Sequence, residues 1–596
     1  MVPYFGLKGR PLLFWVTLGC SIAMMPFGFV APFFLGTRTS YDQALSPNLP
    51  QFLSPSQHVT SSYNLASIFG ALSVLYVGEL LGRKRTILFS TAIMACGALL
   101  QVLAAEFVQM IAGRVVSGIG NGMATATAPV WLGEIAGPKE RGRLVVVMMA
   151  ASAGGFAVGN WVVFGLADIE GQVAFRVPIA VKLIFIILLL ATVSWLPESP
   201  RWLISQGRVN QALTIIADLQ AKDKNDESIT SQAIQMINDV YDAKKNTPTW
   251  TATFRGRGGS TTRRALLGVG VQAMQQLSGV AVTAYCLPLV LTHVLDLSPA
   301  LSRLLTACNA TAFLLSSIGA VYIIPRYGRR RPMIYSSLGQ GTALLAFTIC
   351  ARFVKDHTTN LAIIMIFVYH ICFALGWQAT PWLYPVELNN QAIRTRAVAL
   401  STATGWLLSF IIVQITPLSV DAIGWDFFVI WTVLNFAFAF LVFALYIETE
   451  GEVLEDIDWW EWEGCPVFGW GEKPDVRSRD RGDKQAGYAF NRCRLGSVAE
   501  EGGGQDLMEI LRTEGTSVRD MAVGGLPETM KGYVMGEKNG NENGNGDGTE
   551  GGDGGGRSGR GGGSGHGQRQ GRANSEVDPF DTSGGDGSVN ETLHIS

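Results

Sequence analysis

The chain has 596 residues, of which 48% are hydrophobic and only 16% charged, with a formal net charge of −2. Apolar runs close to the ~20 residues that cross a ~30 Å hydrocarbon core follow one another from about Leu12 to Ile447. No globular surface could hide a dozen of them, so a soluble enzyme of ordinary domains is excluded, and the near-zero net charge argues against nucleic acid as the main partner.

In chain order the runs lie near 12–34, 63–81, 87–105, 108–131, 144–167 and 177–196, and after a polar stretch near 266–291, 302–325, 333–353, 361–384, 397–420 and 426–447. The expected architecture is an all-α membrane protein with twelve transmembrane helices in two six-helix bundles, 1–196 and 266–458, joined by a central loop, 197–265. The first run is too long for a cleaved signal, has only Lys8 and Arg10 before it, and lacks a small-residue cleavage site. Alternate loops carry the basic clusters Arg83/Lys84/Arg85, Lys139/Arg141/Arg143, Arg326/Arg329/Arg330/Arg331 and Arg394/Arg396. Basic loops stay in the cytosol, which predicts cytosolic termini and a cytosolic central loop. Within that loop the apolar spacing over 212–220 predicts a short amphipathic helix. The tail, 459–596, is Gly-rich and poor in aliphatic residues, a composition that predicts disorder. Its ArgGlyGlyGly at 560–563 resembles an RNA-binding segment, but interspersed acids make it a solvated stretch.

Eight cysteines are scattered with neither zinc spacing nor a disulfide framework, and His293 and His370 read as packing or loop residues. No metal and no cofactor is expected. The absence of a phosphate-binding Gly loop with its Lys and Ser/Thr argues against an ATP-driven pump.

The halves repeat at a period of about 250 residues. GlyArgLysArg at 82–85 recurs as GlyArgArgArg at 328–331, Glu134 with Arg141 recurs as Glu387 with Arg394 at the same seven-residue separation, and Glu198 recurs as Glu448. Carboxylates and guanidiniums repeated at helix ends predict a gate whose pairs form when one side closes and part when it opens. The gate set comprises Arg83, Glu134, Arg141, Glu198, Arg201, Arg329, Glu387, Arg394 and Glu448.

Seven motifs in order carry a family resemblance: GlyGluLeuLeuGlyArgLysArg (78–85), GlyArgValValSerGlyIleGlyAsnGly (113–122), ProValTrpLeuGlyGlu with ArgGlyArg (129–134, 141–143), ProGluSerProArgTrpLeu (197–203), GlnGlnLeuSerGly (275–279), ProTrpLeuTyrProValGlu (381–387) and LeuGluAspIleAsp (454–458). Over 12–458 the chain resembles a sugar porter of the major facilitator superfamily, of fungal type. The resemblance implies no enzyme activity, but alternating access across the plasma membrane to a sugar or related polyol, with a proton as co-substrate. It places substrate contacts at Asn160, Gln275, Gln276, Tyr285, Trp382 and Trp406. Departures from the family pattern fall at Ala281, Cys286, Gly405 and Ser409, where amides or an aromatic are usual, and at Pro325 and Ile447. They imply a roomier, more apolar pocket. They suggest an exporter of a non-sugar metabolite as an alternative function, beside an uncoupled facilitator and, given the long tail, a transporter-like nutrient sensor.

Proton-driven members carry an Asp in span 1 facing an Arg that matches Arg114. Here the run reads Phe27, Gly28, Phe29, Val30, and its continuation resumes at Tyr41, Asp42, Gln43 and Ala44. Two readings follow: either 29–40 is an insertion and Asp42 is the coupling acid opposite Arg114, or Asp42 is an ordinary loop residue. Lys182, where the family often has Gln, is expected to snorkel to the interface, the alternative being a substrate-facing cation.

Overall fold

The computed structural model describes residues 3–30, 55–167, 169, 172–224, 226–246, 260–353, 356–389 and 393–451. Asp42, most of the 29–40 segment and the tail lie outside the described residues.

Long apolar segments bond their own backbone N–H and C=O groups internally, and in a membrane that leaves the helix as the available form. The first half folds as α1 (Arg10–Val30), α2 (Pro55–Leu81), α3 (Arg83–Val102), α4 (Phe107–Ile135), α5 (Pro138–Gly165) and α6 (Gln172–Val193). Small residues let their backbones touch: a Cβ on Gly28 of α1 would lie 1.9 Å from the Ser152 carbonyl of α5, and one on Gly155 would lie 2.3 Å from that of Met25.

Three shorter helices follow, α7 (Pro200–Ser205), α8 (Val209–Gln220) and α9 (Glu227–Asn246). The Ser199 hydroxyl caps α7 by accepting from the Trp202 N–H at 3.3 Å. Leu213, Ile216, Ile229 and Met236 form a separate small core. The helix expected over 212–220 is thus present as α8. This layer is tied to the bundle where the Trp202 indole donates to the Glu79 carbonyl at 2.8 Å and where Lys8 pairs with Asp218 at 3.3 Å.

The second half begins with α10 (Ser260–Gln275), which passes through a π turn at Gln276–Val280 into α11 (Ala281–Tyr285) and α12 (Leu287–His293). The break has a local cause: Gly279 sits at φ 101°, which an L side chain rarely tolerates. It frees the Ser278 carbonyl, which accepts from Asn435 Nδ2 at 2.8 Å and from the Tyr369 hydroxyl at 3.2 Å. The remaining helices are α13 (Pro299–Tyr327), α14 (Arg330–Arg352), α15 (Asp356–Gly376), α16 (Thr380–Leu388), α17 (Arg394–Ile423) and α18 (Phe427–Leu445).

Among the described residues, ten helical stretches are long and apolar enough to cross a membrane. One of them, Arg394–Leu445, contains both α17 and α18. The stretch α4 is not among the ten because Arg114, Asn121 and a run of Gly and Thr lower its hydropathy; yet every residue from Gly120 to Ile135 is buried against the other helices. Counting α17 and α18 separately and adding α4 yields the twelve expected spans.

Candidate functional site

Between the halves lies a cavity with a volume of ≈ 90 Å³. Gln275, Gln276, Tyr285, Trp382 and Trp406 all line it. The π turn places the two amides: Gln275 Nε2 donates to the Trp377 carbonyl at 2.8 Å, while its Oε1 is buried with no hydrogen-bond partner among the described residues. An acceptor fixed by its own donor, and otherwise unused, suits a substrate hydroxyl. Trp382 and Trp406 both pack on Phe27, with ring centroids 5.7 and 5.4 Å from it. The Trp406 indole N–H reaches Thr125 of the first half at 3.3 Å.

Asn160 does not line this cavity. It borders a smaller one beside Tyr285 and Arg303, and its Nδ2 donates to the Phe156 carbonyl of its own helix at 2.9 Å. Ala284 and Tyr285 line both cavities.

Several lining residues lay outside the sequence expectations: Phe27, Gln272, Gln378 and His370. Gln272 lies one helical turn before Gln275, so the helical period could have found it. Its Nε2 donates to the Pro381 carbonyl at 3.1 Å, and its Oε1 is 3.0 Å from where a Cβ on Gly405 would stand. Beside position 405, where the family pattern leads one to expect an amide, stands the amide oxygen of Gln272 from α10. Gln378 donates to the Met149 carbonyl across the bundles at 3.3 Å. His370, expected only to pack, borders the cavity and bonds Asn309 through Nδ1 at 2.9 Å.

The repeated charges gather at one end of the molecule, and their bonding repeats as well. Arg83 holds Glu134 through Nε and Nη2, both at 2.9 Å. Arg329 holds Glu387 through the same atoms at 3.3 and 2.9 Å. Glu134 also accepts from Ser199 at 2.6 Å, and Glu387 from Thr449 at 2.7 Å. Glu198 accepts the backbone N–H of Arg83 at 2.8 Å, as Glu448 accepts that of Arg329 at 2.8 Å. Burial pushes the Glu198 carboxyl above its usual range, against the pull of the Ser199, Lys84 and Arg83 N–H groups.

Arg141 donates to the Gly133 carbonyl at 3.2 Å and Arg394 to that of Val386 at 3.0 Å, while Arg201 is buried in α7. The pairs Arg83–Glu134 and Arg329–Glu387 each lie within one half. The halves meet through Arg83 Nη2 to Thr395 Oγ1 at 2.7 Å and through the half-exposed pair Arg396–Glu79 at 2.8 Å.

Arg114 is buried, donates from Nε to the Val59 carbonyl at 3.2 Å, and lies 4.8 Å from the Tyr63 ring centre. Lys182 lies 5.1 Å from the same ring centre and is 3% exposed, so it does not snorkel.

Two six-helix halves around an amide- and indole-walled cavity, closed at one end by buried charge pairs, define a membrane carrier. A family model described as "Sugar (and other) transporter" matches residues 12–460. The chain belongs to this family, the major facilitator sugar porters of fungal type, and is a multi-pass membrane protein. It is 39% identical over 494 residues to the MFS-type transporter oryC of Aspergillus oryzae, covering 81% of this chain and 91% of the relative. It is 31% identical to the Sugar transporter STL1 of Saccharomyces cerevisiae, covering 76% and 82%. A solved structure of the proton:xylose symporter XylE bound to 6-bromo-6-deoxy-D-glucose shares the fold, with a TM-score of 0.68 at 20% identity, covering 76% of this chain and 99% of that one.

Proposed function

We propose that the protein is a secondary transporter that imports a sugar or related polyol across the plasma membrane by alternating access, coupled to a proton. The observation that carries this reading is the cavity between the halves, which Gln275, with an acceptor that has no partner among the described residues, lines together with Trp382 and Trp406. Each substrate hydroxyl buried there needs a polar partner, and the apolar faces of a sugar stack on indoles. Gln276 and Tyr285 complete the contacts, and Asn160 contributes from the adjoining cavity. The charged end, with both termini, faces the cytosol and forms the inner gate, in the closed state here. Arg114 and Asp42 form the coupling pair: protonation of Asp42 releases Arg114 and lowers the barrier to reorientation.

The test is uptake of labelled hexoses and polyols in cells lacking their own carriers, with and without a protonophore. Uptake abolished by the protonophore supports symport. Uptake that resists it makes the protein an uncoupled facilitator. A second reading, export of a less polar metabolite, is favoured by Ala281 and Gly405 on the cavity wall. It gains if surface-expressed protein takes up none of these compounds. A sensor would carry no flux of either kind and would lose its output on removal of the tail.

A further inference from the structure

Lys182 sits within the membrane-crossing stretch Phe175–Val193 of α6, is 3% exposed, and its Nζ has no hydrogen-bond or ion-pair partner among the described residues. A buried ammonium without a counter-charge is costly in hydrocarbon, and the ring face of Tyr63 offsets only part of that cost. Arg114 lies against the same ring, so two cations stand within about 10 Å of each other at a depth where like charges are weakly screened. The described acids from Arg10 to Val193 are Glu79, Glu106, Glu134 and Glu140, and none bonds to Lys182; Glu79 and Glu134 are held by Arg396 and Arg83 at the gate.

A second donor is idle at the same place. The Tyr63 hydroxyl is buried and has no hydrogen-bond partner among the described residues. Tyr63 also connects this spot to the cavity, because its ring meets Trp406 edge-on at 6.4 Å, and its neighbour Asn64 donates to Ser409 at 3.3 Å. Trp406 and Ser409 both line the cavity. Tyr63 thus stands directly behind the cavity wall at Trp406 and Ser409.

We infer that Lys182 and Tyr63 form an anion subsite, and that the polyhydroxylated substrate carries a carboxylate. One carboxylate oxygen takes the Lys182 ammonium and the other the Tyr63 hydroxyl, while the hydroxylated chain extends past Trp406 toward Gln275. This rests on the carrier reading above and names its substrate class as a sugar acid.

D-gluconate and D-glucitol test it as a matched pair, sharing a six-carbon polyol chain that ends in a carboxylate or a hydroxymethyl group. Binding to full-length protein in lipid nanodiscs, read by tryptophan fluorescence, should favour gluconate at least tenfold. Lys182→Gln should cut that preference at least tenfold, and Lys182→Arg should keep most of it. Tyr63→Phe, which retains the ring, should cut it severalfold and serves if Lys182→Gln does not fold. No preference for gluconate, or a preference unchanged in both Lys182→Gln and Tyr63→Phe, overturns the inference. Flux into proteoliposomes separates the two readings. Glucitol flux without gluconate preference removes the anion subsite and leaves the carrier; Lys182-dependent gluconate binding without flux of either probe keeps the subsite and removes the carrier.

Discussion

Thr395 is a sharp probe of the closed end. Its hydroxyl accepts from Arg83 Nη2 at 2.7 Å across the two halves, with Arg83 3% and Thr395 4% exposed. Thr395→Val keeps the branched shape and removes the acceptor, leaving the pair between Arg83 and Glu134 intact within its own half. A hydrogen bond to a charged group contributes about 1.5–3 kcal/mol net. In the open state water replaces it, so the loss falls on the closed state alone. The closed-to-open ratio should therefore drop by about 10- to 150-fold. The reporter is Val398→Cys in a cysteine-free background, because Val398 is 3% exposed and packs with Val386 against Val130 of the other half. An impermeant maleimide applied from the charged side should label it faster by that same factor when Thr395 is Val. A labelling rate within twofold of the parent would refute the assignment of this contact to the gate.

Three further outcomes follow. Asn435→Leu leaves the Ser278 carbonyl with the Tyr369 hydroxyl alone; it should cost about 1–3 kcal/mol of stability, read as a lower midpoint of thermal unfolding in detergent. An unchanged midpoint would mean that Asn435 does not support the π turn. Gly405→Asn places its Cβ 3.0 Å from Gln272 Oε1, so uptake should fall in the single variant and recover when Gln272→Ala is added. Additive losses would rule out exchange of the two amides. Asp42→Asn should abolish accumulation while permitting downhill exchange, and retained uphill transport would refute its coupling role.

The chemistry of each contact decided how much of it could be read from sequence. Glu134, Glu198, Glu387 and Glu448 stood out because an acid at the end of a membrane helix is expensive without a fixed partner, and each recurs in the other half. That argument reached the charged residues without naming their partners. It suggested side chain to side chain contact throughout, whereas Glu198 and Glu448 accept backbone N–H groups at the starts of α3 and α14. An acid that accepts main-chain donors leaves no trace in the identity of its partner. Thr395 was hidden for a related reason: a hydroxyl between two arginines carries no signature until the other half brings Arg83 to it.

Lys182 sets the limit most plainly. Its sequence environment, a lone lysine in an apolar helix, is the same whether the ammonium climbs to the interface or turns inward. The choice rests on Tyr63, more than a hundred residues earlier, whose ring meets Lys182 on one side and Trp406 on another. Gln272 and Gly405 repeat the lesson in the cavity, since a wall that lacks its expected amide at one position has an amide oxygen beside that position from another helix. A pocket's hydrogen-bonding capacity is a property of the space it encloses. Losses counted position by position along α17 therefore overstate how far this cavity lacks hydrogen-bonding groups, and with it the case for a less polar cargo that the missing side chains alone suggested.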